Sequence, residues 1–130
     1  MIHLDTSVLI DGLTGPRRSA VALRRSIERG ERILLSTIVL YEWLRGRRHR
    51  AELAAQEALF PRATAVPFGA DEARIAADLS RGVTRGRGRE IDLAIAATAM
   101  AQNAALWTLN IQDFRDFDGL ALYDPSRDRR

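Results

Sequence analysis

The chain has 130 residues, 46% of them hydrophobic and 28% charged, which suits one domain with a real core and argues against a disordered polymer. It contains no cysteine, which excludes disulfides, zinc–thiolate sites and thiol nucleophiles. All 20 basic residues are arginine, against 17 acids for a net charge of +3, so a P-loop lysine and Schiff-base chemistry are excluded as well.

No stretch approaches the roughly 20 apolar residues of a membrane span. Asp5 interrupts the first apolar run, and no basic segment precedes it; the expected address is the cytoplasm. Residues 1–70 carry 11 Arg against 7 acids, and residues 71–130 carry 9 against 10. Two dense basic segments stand out, Arg45-Gly46-Arg47-Arg48-His49-Arg50 and Arg85-Gly86-Arg87-Gly88-Arg89. The chain shows no internal repeat and no linker, so residues 1–130 are expected to form one domain, with 124–130 as a frayed tail.

In chain order, Met1 to Leu4 reads as a short buried strand, followed by an apolar segment from Val8 to Leu13 and a turn at Gly15-Pro16. Arg18 to Arg29 reads as a helix with Ala20, Leu23 and Ile27 on one face, closed by Gly30. Ile33 to Leu35 is a second strand. Ser36 is the expected N-cap of a helix from Thr37 to Arg45, which Gly46 ends. A short helix from Ala51 to Leu59 stops at Pro61.

Ala63 to Phe68 reads as a strand, and Asp71 opens a helix through Val83 with Ala76, Leu79, Ser80 and Val83 inward. The alanine-rich stretch from Ile91 to Ala104 reads as a helix buried on most sides. Ala105 to Leu109 and Leu120 to Tyr123 are the last two strands. This alternation predicts an α/β fold with a mainly parallel sheet covered by helices on both faces. Sites in such sheets lie in the crevice outside the carboxyl ends of the strands.

That rule selects four acids. Asp5 follows the first strand, Asp113 follows a later one, Glu42 sits amid apolar neighbours in the helix after the second strand, and Asp92 sits in the first turn of the alanine-rich helix. Each has an ordinary explanation: Asp5 as a cap, Asp92 as a dipole-favoured first-turn acid, Glu42 paired with Arg45 or Arg48, Asp113 as a turn residue. Four such coincidences at sheet-edge positions are less economical than one pocket. Carboxylates in apolar surroundings need a partner, and a hard divalent ion, Mg²⁺ or Mn²⁺, serves all four, whereas the scarcity of histidine argues against zinc.

These residues resemble a known family. Leu4-Asp5-Thr6-Ser7-Val8-Leu9-Ile10-Asp11 is similar to the opening motif of PIN-domain nucleases, and Tyr41-Glu42-Trp43-Leu44-Arg45-Gly46 to the second. Ile91-Asp92-Leu93-Ala94-Ile95-Ala96-Ala97-Thr98-Ala99 resembles the third motif and Thr108-Leu109-Asn110-Ile111-Gln112-Asp113-Phe114 the fourth. The short single-domain form is similar to the VapC toxins of bacterial toxin–antitoxin pairs. The resemblance implies a three-layer α/β/α PIN-like fold and a Mg²⁺- or Mn²⁺-dependent endoribonuclease whose acidic site is Asp5, Glu42, Asp92 and Asp113. Asp5 and Asp92 are the first choice for direct metal ligands, and Thr6, Thr108 and Asn110 are implied as supporting hydrogen-bonding residues. It also implies a homodimer and a VapB-type antitoxin as partner, with DNA reached only through the antitoxin.

The expected chemistry is hydrolysis of an RNA phosphodiester by in-line attack of metal-activated water. Arg45, Arg47 and Arg48 are candidates to track the RNA backbone, or else a solvated helix end. The 85–89 segment reads as a solvated loop rather than a phosphate site, and Trp43 as core or interface rather than a base-stacking platform. His49 reads as exposed, and His3 as a partly buried residue with its hydrogen bonds satisfied; neither is placed as a general base. A haloacid-dehalogenase-type phosphatase fails because Ser7 stands where a second Asp is needed, and a receiver domain fails for lack of lysine. The remaining alternative is a catalytically inert PIN-like module that binds RNA or its antitoxin.

Overall fold

The computed structural model describes residues 1–128. Three short strands form a parallel sheet in the order β2-β1-β3: β1 is Ile2–Leu4, β2 is Ile33–Leu34 and β3 is Ala105–Trp107. Ile2 pairs with Ile33 on one side and Ala105 on the other. All three residues of β1 are buried, as expected for a central parallel strand. The Asp5 N–H donates to the Trp107 carbonyl at 2.9 Å, which carries the ladder one residue past β1 and fixes Asp5 beside the end of β3.

The described residues form six α-helices besides the sheet. They are α1 (Thr6–Leu13), α2 (Ala20–Glu28), α3 (Thr37–Arg45), α4 (Arg50–Leu59), α5 (Ala70–Gly82) and α6 (Glu90–Ala101). α1 packs on α2, α3 and α4, whereas α6 packs on α5, α3 and β3. The expected α3 is found between its predicted ends: Ser36 Oγ accepts from Val39 N at 3.1 Å and Gly46 closes it. A Cβ at Gly46 would stand 2.7 Å from Arg48 Nη2, so a side chain there would push the arginine's flexible end aside.

Helix α6 supplies much of the core. Leu93 to Ala99 are all buried, and the small alanines let neighbouring elements approach closely. It ends at Ala101, three residues before the expected end at Ala104, because Asn103 takes a left-handed turn with φ 54°, a conformation asparagine tolerates. On α2, Leu23 is buried as expected but Ile27 is 39% exposed.

Two expected strands shrink to single bridges. In 63–68 the pairing is only Ser36 with Val66; residues Arg62–Thr64 form a 3₁₀ turn instead. Pro67 directly follows Val66 and has no N–H to donate to a ladder. In 120–123 the pairing is Leu106 with Leu122. The expected frayed tail is partly ordered, since Pro125–Asp128 form a 3₁₀ turn anchored by Ser126 N and Oγ on Asp124 Oδ1; Arg129 and Arg130 lie outside the described residues.

No helix among the described residues is long and apolar enough to cross a membrane.

Candidate active site

The carboxyl ends of the strands open onto a cleft of about 540 Å³ lined by Asp5, Thr6, Ser7, Ile10, Asp11, Thr14, Gly15, Pro16, Glu42, Asp92, Leu109 and Asn110. Asp5, Glu42 and Asp92 arrive from the end of β1, the last half of α3 and the first turn of α6. Asp113 does not line this cleft. It sits in an exposed 3₁₀ turn, Ile111–Asp113, within electrostatic reach of Asp92.

Asp5 is 4% exposed. It occupies the N-cap position of α1, yet its side chain makes no capping bond. Instead its Oδ2 accepts from Ser7 Oγ and from Thr108 Oγ1, both at 2.7 Å. Each hydroxyl has one proton, and both protons go to Asp5. Their lone pairs are used too: Leu109 N donates to Ser7 Oγ at 3.0 Å and Asn110 N to Thr108 Oγ1 at 2.9 Å. The network fixes one carboxylate oxygen and leaves Oδ1 without a hydrogen bond from any described residue.

Glu42 is held from two sides. Thr6 Oγ1 donates to its Oε1 at 2.6 Å, and Arg45 Nη2 stands 3.5 Å from its Oε2. Asp92 has no such donor among the described residues. Burial first, then the charges of Asp5, Asp113 and Glu42, raise its pKa to about 6, against a smaller opposing pull from Arg89. Mutual repulsion among these carboxylates disfavours the fully ionised set in the absence of a counter-charge. Among the described residues no three Asp, Glu or His side chains are gathered closely enough to hold one ion between them. A four-carboxylate cage is therefore not what the geometry provides.

The basic candidates divide. Arg45 pairs with Glu42 and lies 5.4 Å from the Tyr41 ring centroid. Arg48 is engaged within the molecule: its Nε donates to the Trp43 carbonyl at 3.1 Å and its guanidinium lies 4.3 Å from the Trp43 ring centroid. Arg47 is exposed. Trp43 is wholly buried, so it is core and not a stacking platform.

His3 corrects a second expectation. It is 1% exposed, and neither ring nitrogen has a partner among the described residues. Burial, with a smaller contribution from the N-terminal ammonium, pushes its pKa down to about 4. The ring is neutral at physiological pH and remote from proton transfer. His49 is exposed and starts α4, with its N–H donating to Glu52 Oε1 at 2.7 Å.

With this geometry in place, the PIN domain profile matches residues 2–120. The chain belongs to the PIN domain family. It is 39% identical over 119 residues to Ribonuclease VapC19 of Mycobacterium tuberculosis, a match covering 90% of this chain and 94% of that relative. Among solved structures, FitAcB from Neisseria gonorrhoeae superposes with a TM-score of 0.74 at 25% identity, over 97% of this chain and 99% of the other. DNA-bound VapBC from Salmonella typhimurium gives 0.74 at 24% identity, over 95% and 97% of the two chains, and shows the same fold.

In this PIN domain, two polar positions escaped sequence reasoning. Ser7 holds Asp5 as directly as Thr108 does; its signal was only its place two residues after the acid. Arg89 lies in a segment whose composition predicts a solvated loop, yet its guanidinium is tied to Asp116 and to the Asp113 carbonyl. No sequence signal links residues 27 apart in this way.

Proposed function

We propose that this PIN domain is a metal-dependent endoribonuclease, the toxin of a toxin–antitoxin pair, hydrolysing RNA phosphodiester bonds in the cytoplasm. The observation that carries this reading is the convergence of Asp5, Glu42 and Asp92 from three separate elements on one open cleft. The substrate class rests on the 39% identity to a protein named Ribonuclease VapC19.

A divalent ion fits the donors in kind. All are hard oxygens, and Mg²⁺ is commonly held by one or two carboxylates with the rest of its shell kept as water. That suits Asp5 and Asp92 as ligands better than a closed cage. When bound, such an ion supplies positive charge against the scissile phosphate and makes water nucleophilic at neutral pH.

The chain's own residues do the remaining tasks. Ser7 and Thr108 hold Asp5 Oδ2, so that Oδ1 presents in a fixed direction. Glu42, held at Oε1 by Thr6, orients the attacking water in line with the leaving oxygen. Asp92, with a pKa near 6, is ionised at neutral pH and ready to ligate. Asp113 adds negative charge from the rim, Asn110 lines the cleft, and Arg45 and Arg47 meet the RNA backbone.

For the partner, a VapB-type antitoxin, an apolar groove of about 470 Å³ between α1, α2 and α4 is lined in part by Leu13, Leu23, Ile27, Ala55 and Leu59. Tyr41 and Leu44, 55% and 47% exposed on α3, support a homodimer. The deciding experiment is incubation of purified protein with structured RNA. Cleavage should require Mg²⁺ or Mn²⁺, stop with EDTA, and vanish in Asp5→Asn and Asp92→Asn. RNA binding with no cleavage at any metal concentration would instead establish the inert binding module.

A further inference from the structure

Arg89 occupies the N-cap position of α6, three residues before Asp92, and its side chain crosses to the 113–117 segment. Nη1 donates to Asp116 Oδ2 at 2.8 Å and Nη2 to Asp116 Oδ1 at 2.6 Å. Nη2 also donates to the backbone carbonyl of Asp113 at 2.9 Å. The guanidinium carbon lies 4.6 Å from the centroid of Phe117, a ring that is 2% exposed and packs edge-on against Phe114. A two-pronged guanidinium–carboxylate bond fixes distance and plane together, and the ring beneath fixes the third direction.

An isolated surface ion pair contributes little. This one differs in where it ends. It joins the start of the helix that carries Asp92 to the very residue that carries the Asp113 carboxylate. A free arginine here would repel a cation in the cleft. Because Asp116 offsets the charge, the side chain can brace the site without spoiling its field.

We propose that Arg89 is a positioning residue: clamped by Asp116 and Phe117, it holds the Ile111–Asp113 turn against the start of α6, so that Asp113 acts together with Asp92. One side chain thus ties the two acids' segments together: Arg89 starts the helix whose first turn carries Asp92, and its Nη2 holds the Asp113 carbonyl. The inference rests on the metal-dependent reading above, and its test separates the two.

The test is a double-mutant cycle read as Mn²⁺ affinity, from the free-ion signal in electron paramagnetic resonance, with no RNA present. Asp113→Asn should weaken Mn²⁺ binding about tenfold in the wild-type background and less than about twofold in Arg89→Gln, a coupling typical of residues acting as a unit. Asp116→Asn should serve in place of Arg89→Gln if that variant folds poorly, and Arg74→Gln, an exposed arginine on α5, should leave the affinity unchanged. Without metal, backbone amides at 111–117 should exchange about tenfold faster in Arg89→Gln.

A role confined to stability lowers the melting temperature but leaves the Asp113→Asn effect equal in both backgrounds, and that overturns the proposal. So does an Asp113→Asn effect absent from the wild type, or amide exchange unchanged by Arg89→Gln. Wild-type protein that shows the coupling yet leaves RNA intact supports the brace and defeats the nuclease reading alone.

Discussion

Thr108 donates its hydroxyl proton to Asp5 Oδ2 at 2.7 Å across 103 residues of sequence, while its own oxygen accepts from Asn110 N at 2.9 Å. The side chain thus both orients the carboxylate and shapes the turn after β3. Thr108→Val keeps the shape and removes both functions. It should cost about 1–3 kcal/mol of stability, the range for a buried polar group left unpartnered, and about tenfold in cleavage rate, whereas Thr108→Ser should retain most of each. Denaturant melts and single-turnover cleavage check this; equal effects of Val and Ser would contradict it.

Metal addition should stabilise the fold because it relieves carboxylate repulsion and binds only the native state. Saturating Mn²⁺ at pH 7.5 should raise the melting temperature by about 3–6 °C. The rise should shrink at pH 5, where the Asp92 proton, bound with a pKa near 6, competes with the ion. Asp5→Asn with Asp92→Asn should abolish it. A rise of the same size in that double variant would place the ion elsewhere.

Two groups titrate against each other in the metal-free protein. His3 has its pKa lowered to about 4, so the unfolded chain takes the proton first and stability falls as pH drops from about 6.5 to 4. Asp92 has its pKa raised to about 6, so the folded chain takes the proton first; that gain is full below about 3.8 and is lost as pH rises through 6. The slopes have opposite sign in one window. With EDTA present, Asp92→Asn should melt lower as pH falls from 6.5 to 4.5, and His3→Leu should melt higher, each by a few degrees relative to wild type. Parallel profiles for all three proteins would show that neither group titrates as described.

Arg47 and Arg48 are adjacent in sequence but differ in surroundings: Arg47 is exposed, and Arg48 lies against Trp43. Arg48 covers the Trp43 ring and donates to its carbonyl, so Arg48→Ala should lower the melting temperature by about 3–5 °C, the equivalent of about 1 kcal/mol, with cleavage changed less than twofold. Arg47→Ala should leave melting unchanged and weaken RNA affinity by reducing its salt dependence by about one phosphate contact. Filter binding across a salt series separates the two.

The acids of the cleft were legible because they interrupt apolar runs. Asp5 follows a buried strand, Glu42 precedes a buried tryptophan, and Asp92 opens a helix that is otherwise core. The ends of α3 were legible too, since a serine cap and a terminal glycine act locally. What stayed hidden depends on contacts far apart in sequence. Thr6 was named as a support, but its bond to Glu42 joins residues 36 apart, and the Arg89–Asp116 clamp has no local mark. The strands at 63–68 and 120–123 read as apolar runs, yet each forms only a single bridge, for strand length is decided by partners and not by composition. His3 looked partly satisfied because nothing in its neighbours showed that both nitrogens would be enclosed.

Helix α6 has one consequence for how such a protein can change over generations. Ala96, Ala97 and Ala99 have no exposed surface at all, and the same rod carries Asp92 in its first turn. Any larger side chain there shifts the rod and the acid with it. Scaffold and candidate site share one rigid part, so a change in the interior of this molecule reaches the cleft as well as the fold.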